Sequence, residues 1–318
     1  MYRIVILIII SLLFLGCGAD TGNQADNKQA YQVQDDYGNI VKFDAKPQRI
    51  YATTISLEEL LLDLVPAEHF AAISQEATDE RYSLVKDKAD RVAKKVPIKL
   101  NVENIVALRP DLVIAQENLN KAQIEAMKEA GLKVYVVKVP TDAEMIEKRI
   151  TNIAKAVGEE KRGNELIKAM NEKLQYVKKV TGDIPIEKRK IVMAYSLMGV
   201  FGSKEGLFND ICENAGVRNG AALAGLVRGE HLSKEKIVAV NPDLFIFPIY
   251  SSTREGDADK FREEVLSDKS LATVKAVKNK SYILINDRYR YTTSHLYADS
   301  VYEIASKSYP KLFAKKKK

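Results

Sequence analysis

Histidine and cysteine, the usual ligands of transition metals, are scarce in this sequence of 318 residues. There are three histidines, His69, His231 and His295, and none has the paired spacing of a zinc or manganese site. The patterns G-x-x-x-x-G-K-(S/T), G-x-S-x-G and H-E-x-x-H are absent, as is a G-x-G-x-x-G after a strand. The sequence therefore predicts neither a bare-metal receptor nor an enzyme, and it requires no cofactor.

A concentrated positive patch is also missing. The formal net charge is +6, the last four residues are lysines, and elsewhere lysine and glutamate alternate along predicted helix faces. A nucleic-acid surface would instead cluster basic residues and interleave them with aromatic ones. Binding to nucleic acid is therefore not expected, and the charges are interpreted as the solvated surface of a monomer.

The N-terminal apolar run is too short to span a membrane. The stretch from Ile4 to Leu15 has twelve residues, fewer than the ~20 that a transmembrane helix needs. Because Arg3 gives the run a positive start, it predicts an export signal in residues 1–16. Residues 17–30 are small and polar without an apolar period, which indicates a flexible tether.

The run ends at Phe14-Leu15-Gly16-Cys17, which resembles a bacterial lipobox. The resemblance implies that the sulfur of Cys17 receives diacylglycerol and anchors the protein at an extracytoplasmic membrane face, at the cell surface or in the periplasm. Phe14 departs from the pattern, since leucine is usual there. An ordinary signal peptide followed by an incidental cysteine is the alternative. Lipidation would leave Cys212 as the only thiol, so an internal disulfide is not expected.

A twelve-residue pattern occurs twice, 132 residues apart. Residues 103–114 read ENIVALRPDLVI and residues 235–246 read EKIVAVNPDLFI, with eight identical positions. Each copy has apolar residues at helical spacing, a proline that stops the helix, an aspartate in the turn and a short apolar strand. This unit in both halves predicts two related lobes, each with its own parallel sheet. A solenoid is excluded, since it needs three or more copies at a shorter period.

The rest of the chain alternates strands and helices, which predicts an α/β fold of two Rossmann-like lobes with central sheets. Residues 49–55 are predicted as a strand, and Ser56 as the N-cap of the next helix. We expect an N-terminal lobe in residues 31–157 and a C-terminal lobe in residues 185–318. Between them, residues 158–184 hold one long bridging helix, which would permit rocking but resist wide closure. The ligand cleft is expected between the lobes.

With these features the chain resembles the helical-backbone, or class III, solute-binding proteins, which serve ABC importers for iron–siderophore complexes and cobalamin. The resemblance covers residues 31 to about 312. It rests on the two repeats, the bridging helix, and the runs Tyr37-Gly38-Asn39 and Lys46-Pro47-Gln48-Arg49-Ile50. It implies a receptor that hands a small molecule to a permease with its ATPase.

The same resemblance implies a docking role for Glu103 and Glu235. In that family each lobe carries a glutamate that pairs with arginines of the permease, and these two residues occupy the matching positions at the start of each repeat. Two carboxylates at equivalent places would give a two-point electrostatic contact. The alternative for each residue is an acidic side chain favoured in the first turn of a helix by the helix dipole.

Candidate ligand contacts follow from the rule that open α/β sheets bind ligands beyond the carboxyl ends of their strands. The last loop, residues 287–295, is the densest polar and aromatic stretch. Its arginines suit carboxylate or catecholate oxygens, and its tyrosines suit flat surfaces. Surface exposure or packing within a lobe is the alternative for any one residue. The candidates are Thr53, Thr54, Gln116, Ser196, Met198, Arg228, Tyr250, Arg288, Arg290 and Tyr291.

The ligand class is less sharply defined by the sequence. Arginines in the last loop, together with Arg228, favour an anionic ferric siderophore, which brings its own chelator and needs no histidine cluster. The tyrosines are also compatible with haem or with the corrin ring of cobalamin, so both stay open. An adhesive or scaffold protein is disfavoured because it would not require two equivalent lobes.

Overall fold

The computed structural model describes residues 30–250 and 257–314. The predicted signal peptide, Cys17 and nearly all of the predicted tether lie outside these residues, as do the last four lysines. Within them the chain forms two α/β lobes, each with parallel strands at its centre, as the sequence predicts. None of the helices in the described ranges is both long and apolar enough to cross a membrane.

The first lobe combines an N-terminal hairpin with parallel strands and their flanking helices. The elements are β1 (Tyr31–Gln34), β2 (Ile40–Phe43), β3 (Ile50–Ala52), α1 (Ile55–Leu64), β4 (Ile73–Ser74), α2 (Lys86–Ala89), β5 (Lys95–Val96), α3 (Val102–Ala107), β6 (Leu112–Gln116), α4 (Lys121–Glu129), β7 (Val134–Val137) and α5 (Ala143–Val157). Strands β1 and β2 pair antiparallel, while β3, β6 and β7 pair in parallel in that order, as do β4 and β5.

Every residue of β3, β6 and β7 is buried, because helices cover both faces of this sheet. On one face Ile50 and Ile114 pack with Leu57 of α1. On the other, Val113 packs with residues of α3 and α4 such as Ile105. The unbroken apolar runs that predicted these strands are therefore explained by burial on two sides.

Helix α6 (Glu160–Thr181) leads into the second lobe. The elements of this lobe are β8 (Ile191–Ser196), β9 (Gly199–Phe201), α7 (Leu207–Asn214), β10 (Arg218–Asn219), α8 (Gly220–Leu223), α9 (Lys234–Val240), β11 (Leu244–Pro248), α10 (Ala258–Ser267), α11 (Lys275–Lys278), β12 (Tyr282–Ile285), α12 (Tyr297–Ser308) and α13 (Pro310–Ala314). Strands β10, β8, β11 and β12 pair in parallel in that order, and β9 pairs antiparallel with β8.

Helix α6 has the position predicted for the bridging helix. It packs against α1 and α5 of the first lobe and against α7, α12 and α13 of the second. Gly163 permits the close approach to α5, since an added Cβ would lie 2.5 Å from the Cβ of Ala154. The helix spans 22 residues, long enough to run along both lobes. The limits proposed for the lobes and the bridge, at 157/158 and 184/185, stay predictions.

The two copies of the repeat fold alike, down to an unusual backbone conformation. Helix α3 precedes β6 in the first copy, and α9 precedes β11 in the second. Arg109 and Asn241, which occupy the same position before the proline, have φ values of 49° and 50°. Side chains other than glycine and asparagine rarely adopt this left-handed region. Its presence in both copies shows that the turn geometry belongs to the repeat.

The aspartate of each copy has a structural task in the neighbouring strand. Asp111 accepts hydrogen bonds from the backbone N–H groups of Gln48 and Arg49, at 2.7 and 3.0 Å, just before β3. Asp243 accepts one from the N–H of Ile191, at 2.8 Å, where β8 begins. In both lobes the aspartate therefore secures the start of the strand that pairs beside its own.

Candidate functional site

A cavity of about 310 Å³ opens at the carboxyl ends of β3 and β6 in the first lobe. Its wall includes Thr53 and Thr54 directly after β3, Asn118 and Leu119 after β6, and Ile105 of α3. This edge of the sheet is where ligands of open α/β folds bind. Both threonines line this cavity, and their contact with a ligand stays a prediction.

Thr54 also begins the helix that follows, which corrects the predicted N-cap. The backbone of Thr54 is extended, with φ −144°, and its hydroxyl accepts a hydrogen bond from the N–H of Leu57. Ser56, predicted as the cap, instead lies inside α1 and is buried. Its hydroxyl accepts hydrogen bonds from Arg288, at 2.8 Å, and from the N–H of Thr293, at 3.2 Å.

Gln116, at the end of β6, is held by an arginine that the sequence did not single out. Its Oε1 accepts from Nη2 of Arg149 at 3.2 Å, and its Nε2 donates to Asn118 at the same distance. Arg149 lies on α5 and is 2% exposed, and this burial lowers its pKa to about 10. The amide of Gln116 is thus fixed by Arg149 and by Asn118, a residue of the cavity wall, and its contact with ligand stays a prediction.

Ser196 and Met198 lie at the tight turn between β8 and β9 of the second lobe. Ser196 is buried and its hydroxyl accepts from the N–H of Met198 at 3.2 Å, whereas the Met198 side chain is 67% exposed. Gly199 follows with φ 96°, which glycine adopts without strain. An added Cβ there would lie 3.3 Å from Nδ1 of His231, so the turn and the histidine are neighbours.

Six exposed apolar side chains of the second lobe lie within or shortly after β8, β9, α8 and β11. A surface with several such side chains marks an interaction site more often than isolated ones do. This set, which we call the apolar rim, consists of Leu197, Met198, Phe201, Leu223, Val227 and Ile249.

Tyr250 and Arg228 occupy different environments in the second lobe. Arg228 is exposed. The hydroxyl of Tyr250 donates to Oε1 of Glu80 in the first lobe at 3.2 Å, and the charge of Glu80 is the main cause that raises the pKa of Tyr250. Asn286 donates to the carbonyl oxygen of Glu80 at 2.6 Å. Glu80 therefore brings the two lobes together beside the predicted cleft.

Arg288 is buried between the lobes and is engaged by a carboxylate. Its Nη2 lies 3.1 Å from Oε2 of Glu59, a residue of α1 with no exposed surface. Its guanidinium also lies 5.0 Å from the ring centre of Tyr291. A role for Arg288 in gripping the ligand stays a prediction, and in this structure its charge is matched by Glu59.

Arg290 is the arginine of the last loop with unused donors. It is buried, its Nη2 pairs with Asp287 at 2.5 Å, and its guanidinium lies 5.1 Å from the ring centre of Phe201. Its Nε and Nη1 have no hydrogen-bond partner among residues 30–250 and 257–314. Buried N–H groups are nearly always paired in native proteins, so two unpaired ones suggest a missing ligand or water.

Phe201 connects Arg290 to the neighbouring aromatic side chains. The ring of Tyr291 meets Phe201 edge-on at 6.3 Å, and Phe208 meets it at 5.8 Å. Burial raises the pKa of Tyr291, so its hydroxyl stays protonated at neutral pH. Arg290 and Tyr291 are therefore brought into one neighbourhood through Phe201.

Glu103 and Glu235 occupy equivalent places on the two lobes. Each is exposed and lies two residues after the N-cap of its helix, Asn101 for α3 and Ser233 for α9. The pKa of Glu235 is lowered, first by its backbone N–H and then by the hydroxyl of Ser233. The neighbouring Lys234 pairs with Asp268 at 2.6 Å rather than with Glu235. Both carboxylates therefore face solvent.

Known proteins resemble the chain over most of its length. The family model described as "Periplasmic binding protein" matches residues 49–289. The "Uncharacterized ABC transporter substrate-binding lipoprotein YvrC" of Bacillus subtilis (strain 168) is 25% identical over 259 residues, 76% of this chain and 78% of that protein. The "Iron-uptake system-binding protein" of the same organism is 20% identical over 291 residues, 88% of this chain and 89% of that protein.

A solved structure has the same fold. The apo form of the "Periplasmic heme-binding protein RhuT" from Roseiflexus sp. RS-1 superposes with a TM-score of 0.71 at 20% identity, over 83% of this chain and 99% of that one. This likeness confirms the predicted two-lobe architecture. The matching family model and YvrC are both named for binding, which confirms the prediction that the chain is not an enzyme.

Proposed function

Since the chain belongs to the periplasmic binding protein family, we propose that it captures an iron–siderophore complex and delivers it to the permease and ATPase of an ABC importer. The family membership accounts for the two lobes and the cleft. The ligand class, the permease contact and the monomeric state belong to the proposal. The iron-uptake system-binding protein, which resembles the chain over 88% of its length, supports the choice of ligand.

The observation that carries this proposal is the pair of unpaired donors on Arg290. A guanidinium in low-dielectric surroundings that lacks partners is well suited to an anionic group, because Arg can offer two parallel N–H donors to carboxylate or catecholate oxygens. The aromatic rings of Phe201 and Tyr291 lie beside it and offer flat contact. An anionic ferric chelate matches both features.

The visible spectrum of the loaded protein tests this ligand class. Residues 18–318 are mixed with a ferric siderophore, cobalamin or haem and then desalted, and we expect the charge-transfer band of the ferric complex to elute with the protein. Each ligand has its own absorption, so one measurement separates the three. If no chromophore elutes with the protein, all three ligand proposals fail together.

Two conservative variants sharpen the same test. Arg290→Lys keeps the charge beside Asp287 but removes the fork of donors, and we expect affinity for the ferric complex to fall by roughly 10- to 100-fold, the value of one hydrogen bond to a charged group. Arg189→Lys is the matched control, because Arg189 lies at the amino end of β8, away from the cleft edge. Equal affinities in the two variants would remove Arg290 from the site.

Haem or cobalamin is the second candidate, and the apolar rim favours it. Its six exposed apolar side chains, within or shortly after β8, β9, α8 and β11, would offer apolar contact to a large ring system. Retention of haem or cobalamin without the ferric complex would replace the first proposal by this one. The transport role and the family would be unaffected by that outcome.

We also propose that Cys17 anchors the protein at an extracytoplasmic membrane face, with the lipobox-like run of residues 14–17 as its motif. YvrC, which resembles the chain, is named a lipoprotein. Cys17→Ala should move the protein from the membrane fraction to the soluble fraction of fractionated cells. Unchanged membrane retention would count against lipidation, and Cys212→Ala, at a fully buried thiol, is the control.

A further inference from the structure

Residues 286–295 of the second lobe lie against the first lobe along most of their length. Asn286 reaches the carbonyl of Glu80, as described above. Thr293 accepts a hydrogen bond from Nη1 of Arg149 at its hydroxyl, 2.7 Å away, and His295 lies 3.2 Å from Asp63 of α1. This segment follows β12, so it belongs to the second lobe by sequence while its side chains bond to the first.

Glu59 is the centre of these contacts. Its carboxylate accepts hydrogen bonds from Nε and Nη2 of Arg288, at 3.4 and 3.1 Å. It also accepts from the hydroxyls of Thr292, at 2.7 Å, and Ser294, at 3.2 Å. Four donors from one short segment of the second lobe thus converge on one buried carboxylate of the first. Nearby Ser56 adds two further bonds to the same segment.

Glu58, the residue before Glu59, shows that a buried glutamate of α1 need not bond to the second lobe. Glu58 is also buried in α1, but it bonds within the first lobe, to the N–H and the hydroxyl of Ser74, at 2.7 and 2.5 Å. Two adjacent glutamates on one helix therefore serve different purposes. Glu58 bonds within the first lobe, and Glu59 bonds to the second lobe.

We propose that Glu59 is a positioning residue that fixes the separation of the lobes by holding residues 286–295 of the second lobe against α1 of the first. We call Glu59 and Ser56, together with Arg288, Thr292, Thr293 and Ser294, the interlobe clasp. Helix α6 is the covalent connection between the lobes, and the clasp is a second, noncovalent one. Two attachments restrict rocking more than one does, so the clasp sets how far the cleft opens.

The clasp also holds the residues on which the proposed transport function depends, and its functional consequence rests on that proposal. Arg290 and Tyr291 lie between Arg288 and Thr292 in the chain, so their place in the cleft is set by the bonds of their neighbours to Glu59. The distance between Glu103 and Glu235, one on each lobe, depends on the same lobe separation.

A distance measurement without ligand tests the clasp. Nitroxide labels are placed by Asn104→Cys and Lys236→Cys, at exposed and equivalent positions of the two repeats, in the full chain with Cys17→Ala. Cys212 is fully buried and will not react. We expect Glu59→Gln to broaden the label–label distance distribution and to speed amide exchange of residues 292–295 by about 10-fold or more. Glu58→Gln, at the adjacent buried carboxyl, should leave the label–label distance distribution unchanged and should not speed that exchange.

Glu59→Gln leaves the Arg288 charge unmatched, so Thr292→Val provides a milder variant that removes one donor and no charge. Thr292→Val should broaden the distance distribution and speed amide exchange of residues 292–295, both by less than Glu59→Gln does. If Glu59→Gln does not fold, Thr292→Val alone tests the proposal. A distance distribution equal to that of the parent in Thr292→Val, or in a folded Glu59→Gln protein, would overturn the proposal even if the melting temperature fell. Because no ligand or permease is present, this result is independent of the proposed transport function.

Discussion

With lysine in place of both Glu103 and Glu235, we expect uptake of the ligand into cells to fall to background while the affinity of the isolated receptor for its ligand is unchanged. The two carboxylates are exposed and occupy equivalent positions in the first turns of α3 and α9. If they pair with cations of the permease, charge reversal converts two attractions into two repulsions, and like charges across an interface cost several kcal/mol. A single reversal should leave partial uptake.

The control for this experiment makes the same two charge reversals at other exposed positions. Glu129→Lys with Glu264→Lys also reverses one exposed carboxylate on each lobe, at the end of α4 and within α10, outside the repeat sequences. Uptake by this control pair should remain near that of the parent. Loss of ligand affinity in the Glu103 and Glu235 variant, or an equal loss of uptake in the control, would show that these residues are not docking points.

The repeat explains why the fold could be predicted from the sequence. Its proline ends each helix, its aspartate secures the neighbouring strand, and its apolar run is buried on both faces, so local chemistry dictates local structure. Because the unit occurs in both halves, it also predicts two lobes. The left-handed backbone at Arg109 was not predictable, since arginine gives no sign of it, whereas Asn241 at the matching position is a residue that tolerates it.

The candidate site was predicted less completely, because its partners are distant in sequence. The rule about strand ends placed Thr53 and Thr54 at a cavity, since that rule depends only on knowing where strands end. The same rule said nothing about Glu59, which meets Arg288 from 229 residues away. A carboxylate in the apolar run of α1 was a signal that a buried partner existed, but the sequence does not identify that partner.

Arg149 presents the same difficulty. It lies on the apolar face of α5, at helical spacing from Ile146 and Ile153, and its guanidinium bonds to Gln116 and Thr293 from distant parts of the chain. The helical period indicates that position 149 is buried, but it does not identify these partners. The dense polar loop at residues 287–295 was recognised correctly as unusual. Arginine, tyrosine, threonine and serine can bind a ligand or bond to the other lobe equally well. The sequence therefore does not show which of these two kinds of contact the loop makes.

Glu58→Gln should make the protein more stable than the parent at alkaline pH and no more stable near pH 4.5. Burial raises the pKa of Glu58 from its ordinary 4.5 to about 8, and the charges of Glu59 and Glu76 add to the effect against the hydrogen bonds from Ser74. Between these two pH values the folded state keeps a proton that the unfolded state has released. The free energy of unfolding of the parent therefore falls as the pH rises through this window.

The size of that loss follows from the shift, on the order of 5 kcal/mol between pH 4.5 and pH 8. Glutamine can keep both bonds to Ser74, with its oxygen accepting from the N–H and its amide donating to the hydroxyl, so the variant loses the titration but little of the packing. Urea unfolding of both proteins at half-unit pH steps gives the difference directly, because other groups titrate alike in both. A difference that stays constant from pH 4.5 to pH 8 would mean that Glu58 is charged in the folded protein, and that its carboxylate is solvated or paired despite its burial in α1.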